Sequence, residues 1–97
     1  MNKDKLREVI RLNLITLRIN KGITQADLAA ELNKAKTTIA SWEQGLSLPD
    51  VTTLYELSKF YNKDMEYFYN ENEDIRQIER LERYSQLLNK QREKVTK

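Results

Sequence analysis

The chain has 97 residues, enough for one folded domain and a short additional segment. It contains no cysteine and no histidine, which excludes disulfides, ordinary zinc sites and most nucleophile–base pairs. The net charge of +2 is modest, so any attraction to nucleic acid has to come from the local placement of charge.

The composition favours an all-α fold. Only two glycines and one proline interrupt a sequence rich in Leu, Ile, Glu, Lys, Gln and Ala, which enter helices at little cost. No apolar run is long enough to span a bilayer, and no signal-peptide pattern is visible. We therefore expect a cytoplasmic protein without membrane contact.

Two helices are predicted in the first third of the chain. About residues 4–20 form the first helix, because apolar residues recur there at spacings of four, four and three. This stripe consists of Leu6, Ile10, Leu14 and Leu17. Gly22 supplies the left-handed position that commonly ends a helix. Thr24, with Asp27 three residues later, is a good N-cap for a second helix that extends to about Leu32.

A tight turn and a third helix follow. Asn33 tolerates a left-handed conformation and is the predicted hinge of the turn. About residues 36–44 form the third helix, which Gly45 ends. Ile39 and Trp42 face the core, and the outward positions are Lys36, Thr37, Ala40, Ser41 and Gln44. Two short helices in this arrangement are the sequence form of a helix-turn-helix, which places its second helix in the DNA major groove.

Two further helices complete the predicted domain. Asp50 is a plausible N-cap for a fourth helix over residues 51–61, and Asn62 is a second left-handed stop. Asp64 is expected to cap a short fifth helix that carries Phe68.

The composition changes after Tyr69, so we divide the chain into a domain over residues 1–69 and a tail over residues 70–97. The tail returns to helical spacing with a weak heptad pattern. Its apolar seam consists of Ile75, Ile78, Leu81, Leu88 and Val95, and Ser85 and Arg92 interrupt it. This C-terminal helix either dimerises or packs back on its own domain, and we favour dimerisation.

Residues 10–69 resemble the helix-turn-helix domain shared by phage repressor and Cro proteins and the bacterial XRE-type regulators. The matching residues are TQADLA at 24–29, Ile39, Trp42, Glu43, Gly45, Pro49, Leu54, Leu57 and Ser58. The resemblance implies a lambda-repressor-like fold of five packed helices in which the third is the recognition helix. It also implies a mostly internal ion pair between Arg18 and Glu43.

The turn departs from the family pattern. Lys34 stands where an apolar residue usually packs, so we expect its stem along the core and its amine in solvent. Ala35 replaces the usual serine cap of the recognition helix, and losing such a cap typically costs about 1 kcal/mol.

Three residues of the recognition helix are predicted to read bases: Lys36, Thr37 and Ser41. By resemblance they match base-reading positions, and their donors and methyl groups suit base edges in the major groove. Four other residues are predicted to contact the DNA backbone: Gln25, Gln44, Thr24 and Lys34. The alternative is that these polar residues form only a solvated helix face and that Gln25 is simply a good helix former.

These features predict a sequence-specific DNA-binding transcription regulator, a dimeric repressor that reads a short palindrome in double-stranded DNA. The alternative is an antitoxin or interaction module whose C-terminal helix binds a protein partner. We expect no cofactor and no enzymatic activity. An acidic cluster at Glu71, Glu73 and Asp74 is better explained as a solvated charge run than as a cation site.

Overall fold

The computed structural model describes residues 2–72 and residue 80. These residues form four α-helices and one 3₁₀ helix, with no strand among them. The α-helices are α1 (Lys3–Lys21), α2 (Gln25–Leu32), α3 (Lys36–Glu43) and α4 (Val51–Tyr61). None of the helices in the described residues has the length and apolar character needed to cross a membrane.

The end of the predicted domain differs in detail from the expectation. The predicted fifth helix is a 3₁₀ helix at Met65–Tyr69, and Asp64 lies at its N-cap position without accepting a capping hydrogen bond there. The predicted C-terminal helix lies outside the described residues except for Arg80. The same holds for Glu73 and Asp74 of the acidic cluster.

Helix boundaries follow the predicted capping residues. Gly22, Asn33 and Asn62 all adopt positive φ angles, of 74°, 55° and 54°, directly after α1, α2 and α4. The Asp50 side chain accepts a 2.8 Å hydrogen bond from the backbone N–H of Thr53 and so caps α4. These local signals were sufficient to set the ends of the helices.

The core lies where the helices and the 3₁₀ helix meet. Its buried side chains come from every element: Ile10, Leu14, Leu17, Leu28, Ala29, Leu32, Ile39, Trp42, Leu54, Leu57 and Phe68. Leu6 is partly buried against this cluster. The predicted inward stripe of α1 and the predicted inward residues of α3 are therefore confirmed.

A buried asparagine, which the sequence did not single out, ties the 3₁₀ helix to α1. The Asn13 side-chain amide nitrogen donates to the carbonyls of Tyr67, Phe68 and Asn70 at 2.9, 2.9 and 3.0 Å. Its carbonyl oxygen accepts a 2.7 Å hydrogen bond from Asn72. Asn13 therefore fixes the path of the chain through the 3₁₀ helix and the residues directly after it.

Candidate nucleic-acid interface

Helix α3 presents one face to the core and another to solvent. Ile39 and Trp42 are buried, with 0% and 4% of their surfaces exposed, which fixes the rotation of the helix about its axis. Lys36 and Thr37, in the first turn, are consequently exposed. No side-chain hydrogen bond or ion pair within the described residues involves either of them. Their donors are therefore available to an external ligand.

The third predicted base-reading residue has a partner. The hydroxyls of Ser41 and Ser47 lie 2.7 Å apart, which joins α3 to the loop after it. One hydroxyl of such a pair donates to the other, so the accepting hydroxyl keeps its own proton for a further hydrogen bond. Ser41 is partly exposed, and the pair still offers a donor at the surface.

The start of α2 has the form of an anion-binding site. The Thr24 hydroxyl accepts from the backbone N–H of Asp27, and the Asp27 carboxylate accepts from the backbone N–H of Thr24, each at 3.0 Å. These reciprocal bonds confirm the predicted N-cap and leave the first-turn N–H groups of Gln25 and Ala26 without an intrahelical partner. Because such groups and the helix dipole both favour negative charge, the site suits a phosphate.

The ion pair between α1 and α3 is present as the resemblance implied. Arg18 Nε and Nη2 donate to the two carboxylate oxygens of Glu43 at 2.7 and 2.9 Å. The two side chains are only 16% and 8% exposed, so the pair is mostly removed from water. Arg18 Nη1 also donates to the carbonyl of Ile23 at 2.8 Å, so one guanidinium holds α1, the α1–α2 turn and α3 together.

Gln25 also contacts this pair, which the sequence did not predict. Its side-chain Nε2 lies 3.2 Å from Glu43 Oε1. The predicted backbone-contacting residue of α2 is thus joined to the last residue of α3. No local sequence signal indicates this contact, because the two residues are 18 positions apart on different helices.

The surroundings of the Arg18–Glu43 pair raise the pKa values of Arg18 and Tyr61. The hydrogen bonds from Arg18 to Glu43 raise the pKa of Arg18 above its ordinary value. Tyr61 packs nearby, and burial raises the pKa of its hydroxyl to about 12. This hydroxyl is buried and has no hydrogen-bond partner among the described residues. Arg18 is therefore charged, and Tyr61 neutral, throughout the physiological range.

The end of α3 is held by a second arginine that sequence reasoning missed. Arg11 Nη1 donates to the backbone carbonyl of Glu43 at 3.2 Å. Gly45, in the turn that follows, has a φ of 76° and leaves room for this side chain, since a Cβ there would lie 3.3 Å from Arg11 Cδ. Gly45 therefore serves both the turn and the approach of Arg11.

The turn before α3 keeps its positive charge at the surface. Lys34 in this turn is exposed, and so is Gln44 directly after α3. Both can therefore make the contacts with the DNA backbone that the sequence predicts. The pKa of Asp50 is lowered, first by its hydrogen bonds with Thr53 and to a lesser extent by the charge of Lys34. Ala35 forms no side-chain capping bond, so the predicted loss of a cap at the start of α3 is confirmed.

The folded domain has the features of a DNA-binding module: a helix pair joined by a left-handed turn, an exposed first turn on α3 and an anion-accepting start on α2. A family model described as helix-turn-helix matches residues 14–68, which is more than half of the chain. The chain belongs to the XRE-type helix-turn-helix family of DNA-binding regulators.

A relative among characterised proteins is the HTH-type transcriptional activator BcrR of Enterococcus faecalis. The two are 39% identical over 46 residues, a match that covers 47% of this chain and 22% of the relative. The chain therefore spans about a fifth of that relative's length. No solved structure shows a significant match to the chain.

Proposed function

We propose that this chain binds double-stranded DNA with sequence specificity and thereby regulates transcription. The observation that carries the proposal is the exposed first turn of α3. Among the described residues, the side chains of Lys36 and Thr37 have no hydrogen-bond or ion-pair partner, while Ile39 and Trp42 anchor the opposite face. The family and the transcriptional role in the relative's name support the same conclusion. Both also point to a regulator without catalytic activity.

In the proposed complex, α3 lies in the major groove. Lys36, Thr37 and Ser41 contact base edges, where an ammonium suits guanine and a hydroxyl or methyl suits other edges. The remaining predicted contacts, Thr24, Gln25, Lys34 and Gln44, meet phosphates on either side. Thr24 still has a hydroxyl proton to donate, because its oxygen is only an acceptor in the capping box.

We further propose that two copies bind a short palindrome and repress transcription by excluding RNA polymerase. A homodimer places two recognition helices about one helical turn apart, which doubles the sequence that can be read. In this proposal residues 1–69 form the DNA-binding domain and residues 70–97 supply the dimer contact. The Asn13 hydrogen bonds to the carbonyls of Phe68 and Asn70 fix the chain at the junction between the two.

The test begins with selection of bound fragments from random DNA, followed by footprinting. We expect half-sites separated by about 34 Å, one turn of the duplex. A reporter with the selected site over a promoter then separates repression from activation, the role in the relative's name. Recovery of random sequences without a common motif would refute sequence-specific binding, and a single half-site would refute the dimer.

Point variants test the assignment of contacts. Lys36→Ala or Thr37→Ala should lose preference at one base pair, by roughly 1–3 kcal/mol. Gln44→Ala is the matched variant at a phosphate position and should weaken all sequences alike. Equal weakening by all three variants would contradict the base-reading assignment.

A further inference from the structure

Glu43 occupies a junction between the two helices of the motif and α1. It is the last residue of α3 and is 9% exposed. Its carboxylate accepts two hydrogen bonds from Arg18 and a third from Gln25 Nε2 at 3.2 Å. The ion pair helps to attach α3 to α1. It does not account for the bond to Gln25, which is partly exposed at the first position of α2.

The bond to Glu43 restricts how Gln25 can point. A glutamine side-chain amide has two N–H donors, and Glu43 Oε1 accepts one of them. Glu43 does not use the second N–H, and the backbone N–H groups of Gln25 and Ala26, in the same first turn of α2, have no intrahelical partner. The start of α2 therefore keeps three N–H donors for a phosphate, two from the backbone and one from the Gln25 side chain.

A carboxylate this close to a phosphate would ordinarily repel it. Here the two-pronged contact with Arg18 offsets the negative charge of Glu43, because the nearest atoms are 2.7 and 2.9 Å apart. Glu43 can accordingly act as a hydrogen-bond acceptor for Gln25 without contributing a net charge to the site.

We propose that Glu43 is a positioning residue for DNA binding: it holds the Gln25 amide, before DNA arrives, in the orientation that donates to a backbone phosphate. This inference rests on the proposed function and on the phosphate contact of Gln25 within it. The advantage is preorganisation, since ordering one long side chain on binding costs about 2- to 10-fold in affinity.

The first test is a double-mutant cycle that removes the acceptor without leaving a buried charge. Arg18→Met with Glu43→Met replaces the pair by apolar side chains of similar length, a change that often preserves folding. Gln25→Ala is made in the native chain and in this background. Affinity is measured with a labelled duplex carrying the site that the native chain selects. Lys36→Ala, in the first turn of α3, is the control in both backgrounds.

We expect Gln25→Ala to weaken binding by about 5- to 10-fold in the native chain and by less than about 2-fold in the Met/Met background. Lys36→Ala should weaken DNA binding by the same factor in both backgrounds. Equal loss from Gln25→Ala in the two backgrounds would overturn the positioning role and leave the phosphate contact standing. No loss even in the native chain would overturn the contact itself, while failure to select any site would overturn the proposed function.

A second measurement uses the native chain and does not depend on a variant that folds. Relaxation of the side-chain amide ¹⁵N nuclei reports the mobility of each glutamine in the free protein. Gln25 should be ordered, and the exposed Gln44 amide, at the end of the same helix as Glu43, is the mobile reference. Equal mobility of the two amides would overturn the proposal.

Discussion

Removal of the Arg18 guanidinium is the perturbation with the largest expected effect on folding. The Glu43 side chain is only 8% exposed in the native chain, and Arg18→Ala leaves its carboxylate with Gln25 as the remaining side-chain donor among the described residues. Breaking a buried pair by removing one partner costs about 3–5 kcal/mol. Arg18 keeps 16% exposure, so we take the low end, about 3 kcal/mol. In a domain of this size that lowers the melting temperature by about 12–24 °C.

Unfolding in urea, followed by fluorescence of the buried Trp42, measures this loss directly because Trp42 is the single tryptophan. The matched control is Lys5→Ala on the same helix. Lys5 pairs with Glu71 at 3.1 Å, but their side chains are 45% and 37% exposed. Solvent screens such a pair, and its loss should cost about 0–1 kcal/mol.

Two outcomes would contradict a large cost for leaving Glu43 without Arg18. One is a loss in Arg18→Ala no larger than that in Lys5→Ala. The other concerns the replacement of both Arg18 and Glu43 by methionine. This double replacement should lower the free energy of unfolding less than Arg18→Ala does, because it leaves no buried charge without a partner. If the double replacement lowers the free energy of unfolding more than Arg18→Ala does, the loss comes from the missing ion pair rather than from a buried carboxylate without its partner.

Three further predictions concern capping and the buried asparagine. Ala35→Ser should stabilise the domain by about 1 kcal/mol in urea unfolding, because it restores a cap to α3, whereas a melting temperature at or below that of the native chain would contradict this. Asn13→Leu should destabilise by about 2–3 kcal/mol in the same assay, because it leaves carbonyls of the segment after α4 unpaired, and a loss under 0.5 kcal/mol would contradict it. Hydrogen bonds from the backbone N–H groups of Thr24 and Thr53 lower the pKa values of Asp27 and Asp50 below their ordinary 3.8. These two carboxylates therefore contribute all of their stabilisation at a pH well above 3.8, and the stabilisation is lost as the pH falls through the lowered pKa values. Asp27→Asn should accordingly reduce the difference in unfolding free energy between about pH 7 and pH 3. An unchanged difference would contradict this prediction.

The sequence was most informative where the determinants are local. Capping residues and left-handed stops act within four or five positions, so Thr24, Asn33, Asp50 and Asn62 identified helix ends that the structure has. The Arg18–Glu43 pair, 25 residues apart, was predictable only because the family resemblance fixed the register of α1 against α3.

Contacts that depend on how side chains meet across helices were not predictable. Asn13 is a polar residue on the same side of α1 as the apolar stripe, three residues after Ile10, and its acceptors are more than 50 residues away. The same limit applies to Arg11 with the end of α3 and to Gln25 with Glu43. In each case the residue type permits many partners, and only the packed geometry selects one.

We propose that the first turn of α3 reads base edges. The most direct measurement is parallel selection from random DNA by the native chain, Thr37→Ala and Gln44→Ala. We expect one shared motif, with Thr37→Ala losing preference at one base pair per half-site and Gln44→Ala keeping the full motif at lower affinity. Unchanged preference in Thr37→Ala would contradict it, as would a common loss of preference at that base pair in both variants.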